Sequence, residues 1–96
     1  MELRIQGIHF DVSEKLTAFI NKKIERLTRK YPAIDYVDVN LTVVKPETAM
    51  NKEVLVNVKS PAGEFVATKV ADTFEEAFDL AIDALDRQLA KQKEKK

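Results

Sequence analysis

The chain has 96 residues and no cysteine, and its 16 lysines and arginines balance 16 aspartates and glutamates. Hydrophobic residues make up 45% of it, which is enough apolar surface to offset the entropy of ordering the chain and argues against a disordered protein. A chain of this length forms one small domain with a thin core, so a shallow binding surface is expected rather than a deep catalytic pocket. Without cysteine, the sequence excludes disulfides, thiolate nucleophiles and cysteine-ligated zinc.

The N-terminal segment has the features of neither a secretory signal nor a membrane anchor. It lacks a long apolar core and a small-residue cleavage site. No window of the chain approaches the ~20 apolar residues that a membrane span needs. We therefore expect a cytoplasmic protein with no membrane partner.

The first half of the chain predicts a strand, a helix and a second strand. Residues 2–10 alternate loosely between polar and apolar side chains, which is typical of a strand with one buried face, and Gly7 within them indicates a bulge or a close approach. The helix begins near Ser13, whose hydroxyl can cap it, and it ends before Pro32. Alternation with a period of two in residues 37–43 predicts the second strand. The apolar residues of the helix recur at spacings of three and four: Leu16, Phe19, Ile20, Ile24 and Leu27.

The second half predicts two more strands and a second helix. Residues 45–51 read as a connecting loop, and alternating valines predict a third strand over residues 54–59. Residues 60–63 form a turn, and residues 64–70 form the fourth strand. Thr73 can cap the last helix. The apolar residues of that helix are Phe74, Ala77, Phe78, Ala81, Ile82, Leu85 and Leu89.

The order of these elements predicts an α+β sandwich. We expect a single domain over residues 1–96, built as β-α-β-β-β-α, with both helices on one face of a four-stranded, mainly antiparallel sheet. The last ~5 residues are expected to be a disordered basic tail. The inward face of the fourth strand stays open, because either of two alternating sets can face the core: Phe65 and Ala67, or Val66, Thr68 and Val70.

The net charge of zero hides a strong polarity between segments. Residues 13–30 carry six bases and two acids, residues 72–86 carry six acids and no base, and residues 87–96 carry five bases and one acid. If the two helices pack side by side, their bases could form one face for the phosphates of a polyanion. Ordinary solvated helix faces are the alternative. The bases at helical spacing are Lys22, Lys23, Arg26, Arg29 and Lys30 in the first helix, and Arg87, Lys91 and Lys95 in the last.

The acids of the last helix allow several interpretations. A solvated face, with carboxylates near the positive end of the helix, is favoured. A surface that repels phosphates would orient the protein on RNA. A face that binds a basic partner would make the protein an interaction module that does not bind RNA, and metal-binding or paired carboxylates would make it a small hydrolase. The acids are Glu75, Glu76, Asp79, Asp83 and Asp86.

The residues needed for catalysis show no recognisable arrangement. His9 is the only imidazole and has no serine partner at a recognisable spacing, so a packing or polar role is favoured. The two glycines cannot form a phosphate-binding loop. The five phenylalanines fall mostly in apolar patterns, which disfavours a protein that reads RNA by stacking bases. We expect no enzyme activity, cofactor, metal or small-molecule substrate.

Three stretches, which together span nearly the whole chain, carry a family resemblance. The first is Ile5-x-Gly7 followed by Asp11-Val12-Ser13. The second is Leu16-x-x-Phe19-Ile20-x-x-Lys23-Ile24-x-Arg26-Leu27. The third and most specific is Ala77-Phe78-Asp79-Leu80-Ala81-Ile82-Asp83-Ala84-Leu85-Asp86-Arg87-Gln88-Leu89-x-Lys91-x-Lys93-x-Lys95. In these stretches the chain resembles the short ribosome hibernation-promoting factors and the related ribosome-associated inhibitor proteins of bacteria, in the sigma-54 modulation protein family.

The resemblance implies a single ribosome-binding domain with a fold similar to double-stranded-RNA-binding domains. It also implies docking on the small ribosomal subunit, in the mRNA and tRNA channel, where a basic face meets ribosomal RNA and idle ribosomes are held inactive under stress or in stationary phase. Lys22, Arg29 and Lys30 extend that face by charge only. The basic positions that match the family pattern are Lys23, Arg26, Arg87, Lys91, Lys93 and Lys95.

Two positions depart from the family pattern. Ala84 stands where relatives usually have a lysine, and Phe74 is displaced by one residue from the family's tyrosine. We also expect the chain to lack the additional C-terminal domain of the long forms. A role in ribosome dimers would therefore need a separate dimerising factor as a partner, whereas the inhibitor relatives keep single ribosomes idle.

Overall fold

The computed structural model of the protein describes residues 1–44 and 50–94, with the backbone alone for Lys93 and Glu94. The helices and strands follow the predicted order, so the α+β class and the β-α-β-β-β-α arrangement are confirmed. The elements are β1 (Glu2–Gly7), α1 (Glu14–Lys30), β2 (Tyr36–Val43), β3 (Lys52–Ser60), β4 (Gly63–Ala71) and α2 (Phe74–Glu94).

The four strands form one sheet in the order β1-β2-β3-β4. β1 and β2 are parallel, as a helical crossover such as α1 requires, whereas the β2–β3 and β3–β4 pairs are antiparallel. One row across the sheet joins Ile5, Val39, Val56 and Ala67. The mainly antiparallel sheet is thereby confirmed.

Both helices pack on the face of the sheet that carries this row, and α2 lies over β3 and β4. Phe19, Phe74 and Ile82, which the periodicity places in the apolar stripes, are only partly buried at the margin of the core. Among the described residues, neither helix is long and apolar enough to cross a membrane. The buried helix residues are Leu16, Ile20, Ile24 and Leu27 of α1, and Ala77, Phe78, Ala81, Leu85 and Leu89 of α2.

The β3–β4 hairpin decides which residues of β4 face the core. Ser60 pairs with Gly63 across a tight turn, and this register places Phe65 opposite Val58, which is fully buried. Residues opposite each other on neighbouring strands share a face of the sheet. Phe65 therefore points inward, and Val66, which is 49% exposed, points outward. The alternative left open by the sequence is settled in favour of the set that contains Phe65 and Ala67.

Both predicted helix N-caps are confirmed. The Ser13 Oγ accepts a hydrogen bond from the backbone N–H of Leu16 at 3.1 Å, and the Thr73 Oγ1 accepts one from the backbone N–H of Glu76 at 3.1 Å. Each bond satisfies a backbone donor that the first turn of a helix leaves without a partner.

Two predicted segments fall partly on residues that the structure does not describe. Residues 45–49 of the predicted loop lie outside the described residues. Its last two residues precede β3, and the N–H of Met50 donates to the Asp72 carboxylate at 2.7 Å. Helix α2 continues to Glu94, further into the predicted basic tail than expected. Lys95 and Lys96 lie outside the described residues.

Gly7 marks a close approach rather than a bulge. A Cβ at this position would lie 2.6 Å from the backbone oxygen of Phe10 and 3.0 Å from Cγ2 of Val12. Because a backbone atom cannot move aside as a side chain can, we expect Gly7→Ala to lower the free energy of unfolding by about 1–3 kcal/mol. Urea denaturation measures this change. Gln6→Ala, at the exposed neighbouring position, should stay within about 0.5 kcal/mol, and equal effects of the two substitutions would contradict the steric explanation.

Candidate nucleic-acid interface

Two ion pairs among the described side chains join α1 to α2. The Nζ of Lys23 lies 3.3 Å from Oδ1 of Asp79, and the Nζ of Lys30 lies 3.1 Å from Oδ1 of Asp86. The partners on each helix are seven residues apart, about two helical turns. Since the earlier lysine meets the earlier aspartate, the two helices run side by side in the same direction. We call these four residues the interhelical seam.

This parallel arrangement places the basic C-terminal halves of both helices at one end of the molecule. Arg29 precedes Lys30 of the seam, and Arg87 follows Asp86. Successive helix residues point about 100° apart, so both arginines turn away from the seam, and both are exposed to solvent. Arg26 and Lys91 are also exposed. We call these four cations, Arg26, Arg29, Arg87 and Lys91, the basic end.

The predicted basic stripes are therefore divided between the seam and the basic end. Lys22 is exposed and continues the α1 stripe one turn toward the N-terminus. Lys23 and Lys30 are instead held in the seam, where they also lie over the rings of Phe19 at 5.5 Å and Tyr31 at 5.6 Å. The side chain of Lys93 and all of Lys95 lie outside the described residues.

The acids of α2 do not all form a solvated face, which corrects the interpretation favoured from the sequence. Asp79 and Asp86 are not simply solvated, because each meets a lysine of α1. Glu75, Glu76 and Asp83 are exposed, as expected for a solvated face. Within residues 1–44 and 50–94, no three acidic or histidine side chains converge as a metal site. The matched seven-residue spacing is visible in the sequence, but it indicates pairing only once the two helices are known to be parallel.

A hydrogen-bonded cluster that the sequence analysis did not anticipate joins the end of α1 to α2. The Tyr31 hydroxyl donates to Oδ1 of Asp86 at 2.6 Å, and the Lys30 Nζ donates to both carboxylate oxygens at 3.1 Å. The pKa of Asp86 is lowered, mainly by the hydrogen bond from Tyr31 and further by the hydrogen bond and charge of Lys30. Burial of the carboxylate opposes this shift. Burial, followed by the hydrogen bond and charge of Asp86, raises the pKa of Tyr31 to about 12.

The raised pKa of Tyr31 predicts a loss of stability at alkaline pH. The unfolded tyrosine ionises near its ordinary pKa of 10.0 and the folded one near 12, so between these values the unfolded state binds fewer protons. The contribution of the protonated Tyr31 hydroxyl to the free energy of unfolding is complete below pH 10 and declines as the pH rises toward 12. In urea denaturation from about pH 9 to 12, wild type should therefore lose stability more steeply than Tyr31→Phe. Parallel curves for the two proteins would contradict the prediction.

Four of the five phenylalanine rings pack against one another in pairs. Phe10 stacks on Phe74 with ring centroids 5.2 Å apart, and Phe19 meets the fully buried Phe78 edge-on at 6.2 Å. His9 is exposed in the loop after β1 and has a left-handed backbone with φ of 68°. Histidine is one of the non-glycine residues that adopt this conformation more readily.

Comparison with known proteins places the chain in a family. The family model described as Sigma 54 modulation protein / S30EA ribosomal protein matches residues 3–96. The ribosome hibernation promoting factor of Azotobacter vinelandii is 35% identical over 95 residues, which cover 99% of this chain and 85% of the relative. The protein of that name from Escherichia coli K12 is 33% identical over 95 residues, covering 99% and 96%.

Solved structures agree with this assignment. A ribosomal subunit interface protein from Coxiella burnetii superposes with a TM-score of 0.88 and 27% identity, covering 99% of this chain and 100% of that one. The N-terminal domain of Thermus thermophilus Protein Y has the same fold, with a TM-score of 0.72, 22% identity and coverage of 91% and 90%. The family resemblance carried by the three sequence stretches is thus confirmed, and the chain belongs to the Sigma 54 modulation protein / S30EA ribosomal protein family.

Proposed function

We propose that this protein is a non-enzymatic ribosome hibernation factor. It binds the small ribosomal subunit in the mRNA and tRNA channel of the cytoplasmic ribosome and holds ribosomes inactive under stress or in stationary phase. The observation that carries the proposal is the basic end, where two parallel helices direct exposed cations to one surface of a protein with zero net charge. The names of the family relatives, ribosome hibernation promoting factor and ribosomal subunit interface protein, support it.

Binding at the basic end is driven by neutralisation of phosphates. Each arginine or lysine that meets an RNA phosphate releases condensed counterions, so affinity falls as salt rises. With the four cations of the basic end as contacts, raising salt from about 50 to 200 mM should weaken binding by about two orders of magnitude. The bound domain then excludes mRNA and tRNA by occupying their space, and mass action decides how many ribosomes stay idle. Neither step requires a catalytic group or a cofactor.

Sedimentation of the purified protein with ribosomes and with each isolated subunit tests this proposal. We expect salt-sensitive binding to the small subunit, prevented by prior loading of mRNA and initiator tRNA. Gradient profiles with and without a separate dimerising factor distinguish a protein that promotes ribosome dimers from one that keeps single ribosomes idle. Absence of binding at low salt, or binding that the competitors do not affect, would contradict occupancy of the channel.

The alternative of a protein-interaction module that uses the acidic face of α2 is disfavoured by the seam. Asp79 and Asp86 are engaged by Lys23 and Lys30. A basic partner would have to displace these lysines before it could use both aspartates, which leaves it Glu75, Glu76 and Asp83.

A further inference from the structure

We propose that Asp86 is a positioning residue of the basic end. Although it is an acid beside an RNA-binding surface, it raises the affinity for phosphates because it holds the C-terminal turn of α1 against α2. This inference rests on the proposed function, and it assigns to Asp86 a role opposite in sign to that of an ordinary surface carboxylate.

The contacts of Asp86 engage the very end of α1. Tyr31 is the C-cap residue of that helix, and its backbone N–H donates to the Leu27 carbonyl at 2.9 Å. Its side chain is only 8% exposed, and its hydroxyl reaches Oδ1 of Asp86 at 2.6 Å and the Asp86 carbonyl oxygen at 3.3 Å. The Lys30 Nζ contacts both carboxylate oxygens at 3.1 Å. One carboxylate therefore binds two consecutive residues of α1, one through a neutral donor and one through a cation.

The residues that Asp86 holds are neighbours of the cations that face solvent. Arg29 lies two positions before Tyr31, and Arg87 directly follows Asp86. Without the carboxylate, the charges of Arg29, Lys30 and Arg87 would repel one another across the seam. The two helix ends would also gain freedom, which binding would have to remove at a cost in free energy. Asp86 thus fixes the spacing between cations on the two helices and offsets their repulsion.

A simple charge argument predicts the reverse. Removing a carboxylate from a surface that meets phosphates should strengthen binding, because it removes long-range repulsion and leaves the nearby lysine free. Asp83 provides a matched control for this argument, since it lies less than one turn earlier on the same helix and is exposed. Asp83→Ala and Asp86→Ala therefore remove the same charge from α2, but only Asp86→Ala also removes the contacts with Lys30 and Tyr31.

The test measures affinity for isolated small subunits, across a salt series, for wild type and the variants Asp83→Ala, Asp86→Ala and Tyr31→Phe. We expect Asp83→Ala to bind about twofold more tightly. We expect Asp86→Ala to bind about three- to tenfold more weakly, with an unchanged salt slope because no phosphate contact is lost. Tyr31→Phe, which leaves every charge in place, should weaken binding about threefold. Asp86→Asn, which keeps an acceptor for the Tyr31 hydroxyl, should fall between wild type and Asp86→Ala.

Circular dichroism at the assay temperature shows whether each variant is folded. If Asp86→Ala is unfolded at that temperature, Tyr31→Phe alone tests the inference. An unchanged affinity of Tyr31→Phe would then overturn it. Tighter binding of a folded Asp86→Ala, as for Asp83→Ala, would also overturn it while leaving the proposed function intact. Absence of binding by the wild type would instead overturn the proposed function.

Discussion

Replacing Arg87 and Lys91 together by glutamate should weaken binding to the small ribosomal subunit on the order of 100-fold at low salt. Both side chains are exposed and lie off the buried stripe of α2, so the domain should keep its fold. The substitution removes two phosphate contacts and adds two charges that repel phosphates. The slope of log affinity against log salt should fall by about two. Co-sedimentation across a salt series measures both quantities.

The control for this double substitution changes the same charge elsewhere. Lys15, in the first turn of α1, and Lys69, near the end of β4, are exposed at the other end of the molecule from the basic end. Lys15→Glu with Lys69→Glu alters the net charge by the same amount, so it reports the long-range effect alone, which salt screens over about 10 Å. We expect a loss of less than about fivefold, with an unchanged salt slope. Equal losses for the two double variants would show that the basic end is not the contact surface.

The parts of the fold that the sequence predicts are those set by local periodicity and local hydrogen bonds. The stripe from Leu16 to Leu27 predicts which face of α1 is buried, and the hydroxyls of Ser13 and Thr73 predict where each helix begins. The same reasoning does not predict which face of strand β4 is buried, because apolar residues occur on both faces of the strand. Its orientation is set by the register of the hairpin with β3, which a pattern within β4 does not contain.

The candidate site shows the same division between local and long-range information. Exposed helical cations such as Arg26 and Arg87 follow from their spacing relative to the buried stripes. The interhelical seam does not follow from local spacing. Lys30 and Asp86 are 56 positions apart in the chain and meet only because the sheet sets the two helices parallel. Exposed ion pairs contribute only about 0–1 kcal/mol each. The seam is thus better understood as fixing the relative position of two helices than as a main source of stability.

The direction of the helices also explains why the charges are sorted along them. Parallel helices place both negative dipole ends at the basic end, and Arg29 and Lys91, in the last turns of α1 and α2, offset this partial charge. Glu75 and Glu76, in the first turn of α2, lie at its positive end. These four charges are therefore each at the helix end that favours them. A protein of zero net charge has a cationic surface at one end as a result.

Phe78→Ala should lower the free energy of unfolding by about 3–5 kcal/mol. Phe78 is fully buried on α2 and meets Phe19 of α1 edge-on, so its removal leaves a cavity where the two helices and the sheet converge. Small domains have about 5–15 kcal/mol of stability in total, so this one side chain carries a large part of it. Urea denaturation at neutral pH measures the change.

Leu80→Ala is the matched control for Phe78→Ala, since Leu80 lies two positions along the same helix and is 45% exposed. Its cost should be below about 1 kcal/mol. A cost below about 1 kcal/mol for Phe78→Ala would contradict the placement of this ring at the centre of the core. Where Phe78→Ala is still folded, its affinity for the small subunit should fall far less than that of the Arg87 and Lys91 double variant. The cavity would lie beneath the helices, whereas the cations of the basic end face solvent, so we expect stability and ribosome binding to depend on opposite sides of α2.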